Sequence, residues 1–435
     1  MFMEETIFFP LIQKFNRYSS LPVEYLIYYL RSMLFSTVIG QFDVKARLTE
    51  LVQHNRLSHA LLFLGREGSG ALPLALAFAQ YVVCEKVQGK PGDSSHSLFG
   101  EGPENAPGTV MTDSCGICAA CTKAAAQVHP DIHFSYPVIP RKPGDKPIST
   151  GYIAEWREFL KINPYGNVFD WLQSINAENR QGNITAEECN DILRKLNLKT
   201  FESKYKVLVL WMPEFLGKEG NKLLKLIEEP PPNTLFLLVA ENESMILPTI
   251  LSRCQLVKIP ALTNADISGQ LVKKANISAD QAQQIAAISE GNYREAIQQL
   301  NHAGEDWLYL VREWLNAMLK NGPVALVKWI EEISKQGREK QKQFLRYFNH
   351  LLEQSVRMHI LGDESEWANS LPATEKDFIL RINKMSDLSQ QEAIVEELDK
   401  AAYYIERNAN AKMLFHALSI RLFHILTEKT RVKPW

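Results

Sequence analysis

Asn221-Lys222-Leu223-Leu224-Lys225-Leu226-Ile227-Glu228-Glu229-Pro230-Pro231-Pro232-Asn233-Thr234 is the stretch from which the rest of the chain can be read. It reads as a helix that stops at a run of prolines. An apolar strand, Thr234 to Val239, follows directly, and then Pro248-Thr249-Ile250-Leu251-Ser252-Arg253-Cys254. Working back, Lys206-Val207-Leu208-Val209-Leu210 and Ala60-Leu61-Leu62-Phe63-Leu64 are two more short apolar runs. Runs of this length, bounded by polar or glycine-rich segments, read as buried strands. Helical patterns lie between them. Strands alternating with helices argue for an α/β fold, with a parallel sheet covered on both faces.

The strand ending at Leu64 runs into Gly65-Arg66-Glu67-Gly68-Ser69-Gly70-Ala71-Leu72. A phosphate loop asks for Gly, four residues, then Gly-Lys-Ser/Thr. Gly65 and Gly70 match, and Gly68 and Ser69 suit a tight phosphate-cradling turn. The lysine position holds Ala71 and the magnesium-ligand position holds Leu72. Backbone N–H groups at the helix start could still attract an anion. Hydrolysis needs Mg²⁺ and positive charge on the transferring phosphate. The second acidic motif of such enzymes fails as well. The strand Val207 to Leu210 ends in Trp211-Met212-Pro213-Glu214, with no acid at its tip, and Glu214 reads as a solvated loop residue. Both losses imply weak or absent ATP binding.

Asn221 to Thr234 followed by Thr249-Ile250-Leu251-Ser252-Arg253-Cys254 resembles the clamp-loader branch of AAA+ proteins, in particular the delta-prime type of the bacterial DNA polymerase III loader. Val38-Ile39-Gly40-Gln41, Leu57 to Phe63 and His129-Pro130-Asp131 add to the resemblance, which covers about residues 38–304. It implies a RecA-like AAA+ sheet, a small helical lid and an all-helical collar. It implies a subunit that hydrolyses nothing itself and helps load a sliding clamp onto primed DNA, beside gamma/tau ATPase and delta subunits. In the family, the arginine of Ser-Arg-Cys reaches nucleotide on the neighbouring subunit, and Arg253 matches it. The plain alternative for Arg253 is a surface salt bridge. Arg294, in Gly291-Asn292-Tyr293-Arg294-Glu295-Ala296, resembles the lid sensor arginine. Without a working nucleotide site it reads as a relic or as a structural ion-pair member.

Cys115-Gly116-Ile117-Cys118-Ala119-Ala120-Cys121 spaces three thiols at three-residue intervals, with Cys84 about 30 residues upstream. Four cysteines make a closed tetrahedral zinc site of structural type. The arrangement resembles the zinc module inserted in this family's first domain. An iron–sulfur cluster could use four cysteines too, and His129 and His133 are alternative fourth ligands to Cys84. Cys189 and Cys254 read as packing residues.

The chain has 435 residues, 46% hydrophobic and 23% charged, with a formal net charge of -2. That balance excludes a general polyanion binder, so DNA contact must come from a local patch or from partners. No run of about 18 apolar residues suggests a membrane span, and a cytoplasmic protein is expected. Residues 1–32 read either as an extension or as sequence upstream of a second start at Met33. The expected domains are a nucleotide-binding-like domain over 33–262 with its zinc module at about 84–121, a lid over 263–304 and a collar over 305–435. Residues 87–114 and 137–152 read as loops, and 153–183 as a partly helical, polar insertion before a helix at 185–196. Two other functions fit parts of the sequence: an active gamma/tau-type ATPase, and a zinc-dependent nucleic-acid binder. Any polymerase label would come through the holoenzyme.

Overall fold

The computed structural model describes residues 33–89, 112–142, 144–177, 180–275, 277–301, 307–364, 368, 371–406 and 409–428. Residues 1–32 and most of the 87–114 loop lie outside them. The described chain falls into two compact units, Met1–Leu300 and Asn301–Trp435. In the first, the order is α1 (Phe42–Gln53), β1 (Ala60–Gly65), α2 (Ala71–Val83), α3 (Ala119–Ala125), β2 (Ile132–Ser135), α4 (Ile153–Ile162), α5 (Val168–Ser174) and α6 (Ala186–Leu196). Then come β3 (Lys206–Trp211), α7 (Leu224–Glu228), β4 (Thr234–Ala240), α8 (Pro248–Leu251) and β5 (Gln255–Ile259). Three helices close the unit: α9 (Asn264–Ala275), α10 (Ala279–Ile288) and α11 (Tyr293–Asn301).

The five strands form one sheet in the order β2-β3-β4-β1-β5, and every pairing is parallel. Side chains alternate across a strand, and the alternation sorts the sheet's residues into two cores. Leu61, Phe63, Val207, Val209, Trp211, Leu235, Leu237 and Val239 pack on one face with α2, α4 and α5. Ala60, Leu62, Leu208, Leu210, Phe236 and Leu238 pack on the other with α6, α7 and Ile250. The sheet is therefore covered on both faces, as the unbroken apolar strands require. Every residue of α2 is buried, which is why its sequence is apolar all round.

Two strands escape a reading by apolar runs. β2 is four residues long, and β5 is an edge strand that leaves Leu256 and Lys258 exposed. The 153–183 segment corrects the expectation of a polar insertion. Trp156, Phe159 and Trp171 are fully or nearly fully buried. Trp156 stacks on Tyr136 at 4.1 Å and meets Trp171 at 5.3 Å and Trp211 at 5.2 Å. The insertion is part of the main core, with Glu158 and Lys161 turned outward.

The second unit is helical: α12 (Trp307–Leu319), α13 (Gly322–Lys335), α14 (Arg338–Leu361), α15 (Ala373–Met385), α16 (Leu388–Glu406) and α17 (Ala411–Glu428). Trp314 sits at its centre, stacked on Trp329 at 5.1 Å. Its indole N–H donates to Ser419 Oγ at 2.9 Å, so the buried polar atom is satisfied. Among the described residues, no helix is long and apolar enough to cross a membrane.

Candidate functional site

The glycine loop joins β1 to α2, where a phosphate loop belongs. Gly68 and Gly70 have φ of +70° and +91°, a region that glycine enters without steric cost. A Cβ on Gly68 would lie 1.8 Å from Asn292 Oδ1, because the loop presses against the start of α11. The Tyr293 N–H donates to Gly68 O at 3.2 Å. Ser69 is buried and its carbonyl accepts from Gln41 Nε2 at 3.0 Å. Ala71 and Leu72 stand at the first turn of α2, both buried. The room left over the loop, bounded by Gly65, Gly70, Ala71, Tyr165 and Trp211 among others, is about 20 Å³. That accommodates one water molecule.

Two groups pack against the loop, the first of them at the edge of that room. The Tyr165 ring lies so close to Gly70 that a Cβ there would sit 3.0 Å from it. Its hydroxyl accepts the Ile39 N–H at 2.9 Å, and its ring meets Tyr293 at 4.9 Å. The second group is an ion-pair network. Arg294 is only 4% exposed. It donates through Nε and Nη2 to Asp170 at 2.5 and 2.7 Å, and through Nη1 to Glu67 at 3.0 Å. Glu67 belongs to the glycine loop and Asp170 to α5. Glu67 also accepts from Asn167 Nδ2 at 2.9 Å and Asn292 Nδ2 at 3.1 Å. Asn167 and Asp170 form a capping box at the start of α5. Loop, insertion and α11 are thus joined by carboxylates around one buried guanidinium. The sequence reading missed Tyr165, Glu67 and Asp170. The signal it offered was an acid inside a loop built for anions.

At the tip of β3, Met212 adopts a left-handed conformation, φ 60°, and turns the chain so that Glu214 points back. Glu214 Oε1 accepts the N–H groups of Glu241 and Asn242 at 2.7 and 2.8 Å. Burial pushes its carboxyl above the ordinary range. Glu214 is therefore a half-buried cap on the end of β4, which corrects its reading as a solvated loop residue.

Arg253 follows α8. Its guanidinium pairs with Glu228, the last residue of α7, through Nε at 2.7 Å and through Nη2. Nη1 donates to Thr249 O at 2.6 Å. The side chains are 30% and 45% exposed.

The cysteines converge. The Sγ atoms of Cys84, Cys115, Cys118 and Cys121 all lie within 4.8 Å of one another, and those of Cys115 and Cys121 are 3.9 Å apart. A tetrahedron with Zn–S of about 2.3 Å has edges of about 3.8 Å, so the spacing fits a tetrahedral metal ion. The N–H groups of Cys115, Cys118 and Cys121 each donate to the preceding sulfur of the set at 3.4 Å, which favours thiolates. Hydrogen bonding from Cys121 holds the Cys84 thiol down at about 4. Cys121 is pushed far up in turn, first by the same hydrogen bond to Cys84. One thiolate opposes the next, and a bound cation removes that conflict. The histidines do not join this set. His129 Nδ1 accepts the Asp131 N–H at 3.1 Å and its Nε2 faces Glu202 at 3.3 Å, while His133 lies on β2.

Residues 40–263 match the model of a family described as DNA polymerase III, delta subunit. The DNA polymerase III subunit tau of Bacillus subtilis is 26% identical over 63% of this chain and 38% of its own length. The subunit delta' of the same organism is 23% identical over 57% of this chain and 55% of its own. The chain thus spans less than two thirds of the length of either of these relatives. A solved gamma subunit-related protein of Thermotoga maritima aligns with 87% of this chain and 99% of its own, at 15% identity and a TM-score of 0.34.

Proposed function

The chain belongs to the DNA polymerase III delta subunit family, and from that premise we propose that it is a delta-prime-type clamp-loader subunit that hydrolyses no ATP itself. In this reading it stands in a hetero-oligomeric ring with gamma/tau ATPase and delta subunits. The ring loads a sliding clamp onto primed DNA in the cytoplasm, and Arg253 acts on ATP held by the neighbouring subunit. Residues 263–304 serve as lid and 305–435 as the collar that joins subunits. The four cysteines hold one structural zinc ion, because all four tetrahedral positions are filled by protein.

The observation that carries the reading is the occupied phosphate seat. Ligand pockets typically offer roughly 300–1,000 Å³, and about 20 Å³ remains over this loop. Arg294, the residue placed to sense a nucleotide, spends its donors on Glu67 and Asp170. No lysine or hydroxyl stands at the start of α2 to hold phosphate or magnesium. A gamma/tau-type ATPase needs all of these groups.

The test is calorimetric titration of the purified chain with MgATP, with a steady-state ATPase assay beside it. No heat of binding up to millimolar nucleotide, and no turnover, are expected. Micromolar binding or measurable hydrolysis would overturn the reading in favour of the ATPase type.

A further inference from the structure

The Arg253–Glu228 pair joins the two stretches from which the fold was first read, and it is built from anchored backbone on both sides. Glu228 ends α7, whose Leu226 and Ile227 are buried in the second core. Arg253 follows α8, whose Ile250 is 0% exposed in that same core. The turn carrying Arg253 is closed by three backbone bonds: Ser252 N to Pro248 O, Arg253 N to Ile250 O and Cys254 N to Leu251 O, at 3.0, 3.1 and 3.2 Å. Neither side chain hangs from a loose loop.

A guanidinium has five N–H donors in a planar fork. Glu228 takes the edge formed by Nε and Nη2, with both bonds on Oε1. Thr249 O takes one N–H of Nη1, and Ser252 Oγ lies 3.3 Å from the same nitrogen. A second N–H on Nη2 and the weakly held one on Nη1 remain for an incoming anion. A pair this exposed contributes little to stability. What it supplies is a fixed orientation, and electrostatic catalysis depends on donors that are in place before charge develops.

We propose that Glu228 is a positioning residue for Arg253: it grips one edge of the guanidinium so that the other can meet phosphate bound by a neighbouring subunit. This rests on the trans-acting role of Arg253 proposed above. Glu228 touches no substrate itself and acts only through the arginine.

The test uses the reconstituted loader with clamp and primed DNA, and reads kcat and KM for ATP. The preparations are wild type, Arg253→Ala, Glu228→Ala, Glu228→Gln and the Arg253→Ala/Glu228→Ala double variant. Gel filtration and a thermal melt confirm assembly and folding of each. Arg253→Ala is expected to lower kcat by on the order of 10³-fold. Glu228→Ala is expected to lower it by roughly 10- to 100-fold, the cost of a misplaced group, with KM little changed. Glu228→Gln keeps an acceptor oxygen in place and should recover most of the loss. The double variant should fall no further than Arg253→Ala alone. If Arg253→Ala is slow while Glu228→Ala turns over normally or faster, the arginine's role stands and the positioning role is overturned. A further fall in the double variant would show that Glu228 acts apart from Arg253, which also overturns it. Unchanged turnover in Arg253→Ala would remove the trans-acting role itself, and this proposal with it.

Discussion

Replacing Arg294 by methionine tests whether the ion-pair network beside the glycine loop is a structural joint. The substitution keeps the length of the buried stem and removes the guanidinium with its five N–H donors. Asp170 and Glu67, whose side chains are 13% and 20% exposed, are left facing each other. Breaking a buried ion pair from one side costs about 3–5 kcal/mol. The lower end applies here, because donors remain: Asn167 N to Asp170, and the side-chain amides of Asn167 and Asn292 to Glu67. A loss of about 3 kcal/mol lowers the midpoint of a domain of a few hundred residues by roughly 6–12 °C. Differential scanning calorimetry of the full chain reads that shift. The triple variant Glu67→Gln/Asp170→Asn/Arg294→Met leaves no charge buried and should regain more than half of it. Under the proposed function, the drop should be the same with and without MgATP. A shift of under about 2 °C, or a triple variant no better than the single, would refute the idea that the network ties loop, insertion and α11 together.

Three other outcomes follow from the geometry. The purified protein should carry one zinc ion per chain by elemental analysis. Cys118→Ser should lower metal content and make the chain sensitive to mild chelators, because metal binding and folding are coupled; metal-free protein of unchanged stability would contradict the site. Tyr165→Phe removes the acceptor of the buried Ile39 N–H and should cost about 1–2 kcal/mol in denaturant unfolding; no change would mean that the hydroxyl is not needed. In the helical unit, burial lowers His350 from its ordinary value to about 4. The unfolded chain then binds the proton first as pH falls, so stability should decline between about pH 6.5 and about pH 4. His350→Gln should flatten that decline in pH-dependent melts, and an unchanged slope would assign it to other groups.

The parts of the fold that could be read from sequence were those fixed by local pattern. β1, β3 and β4 are buried on both faces and so read as apolar runs, and the α/β class followed from them. The Cys115-Cys118-Cys121 spacing repeats every three residues over seven, a pattern suited to metal ligation, so the convergence of these thiols was legible too. β5 was not, because an edge strand exposes alternate residues and Leu256 and Lys258 broke the run. The closing of the phosphate seat was hidden for another reason. Arg294 is 124 residues from Asp170 and 227 from Glu67, and Tyr165 comes from an insertion whose surface is polar. Ala71 and Leu72 at the lysine and Ser/Thr positions could be seen in the loop itself; the groups packed around the loop could not. Glu214 was misread because a loop acid that caps two backbone N–H groups has the same sequence signature as one in water.

In the proposed function the chain lacks nucleotide chemistry of its own and completes that of a neighbour. It is tested most directly by ATP hydrolysis in the reconstituted loader, with clamp and primed DNA, comparing wild type with Arg253→Ala in complexes shown intact by gel filtration. A fall in kcat on the order of 10³-fold is expected, in the range of a removed arginine finger. Turnover equal to wild type in an intact complex would contradict it, and would leave Arg253 as one half of a surface salt bridge.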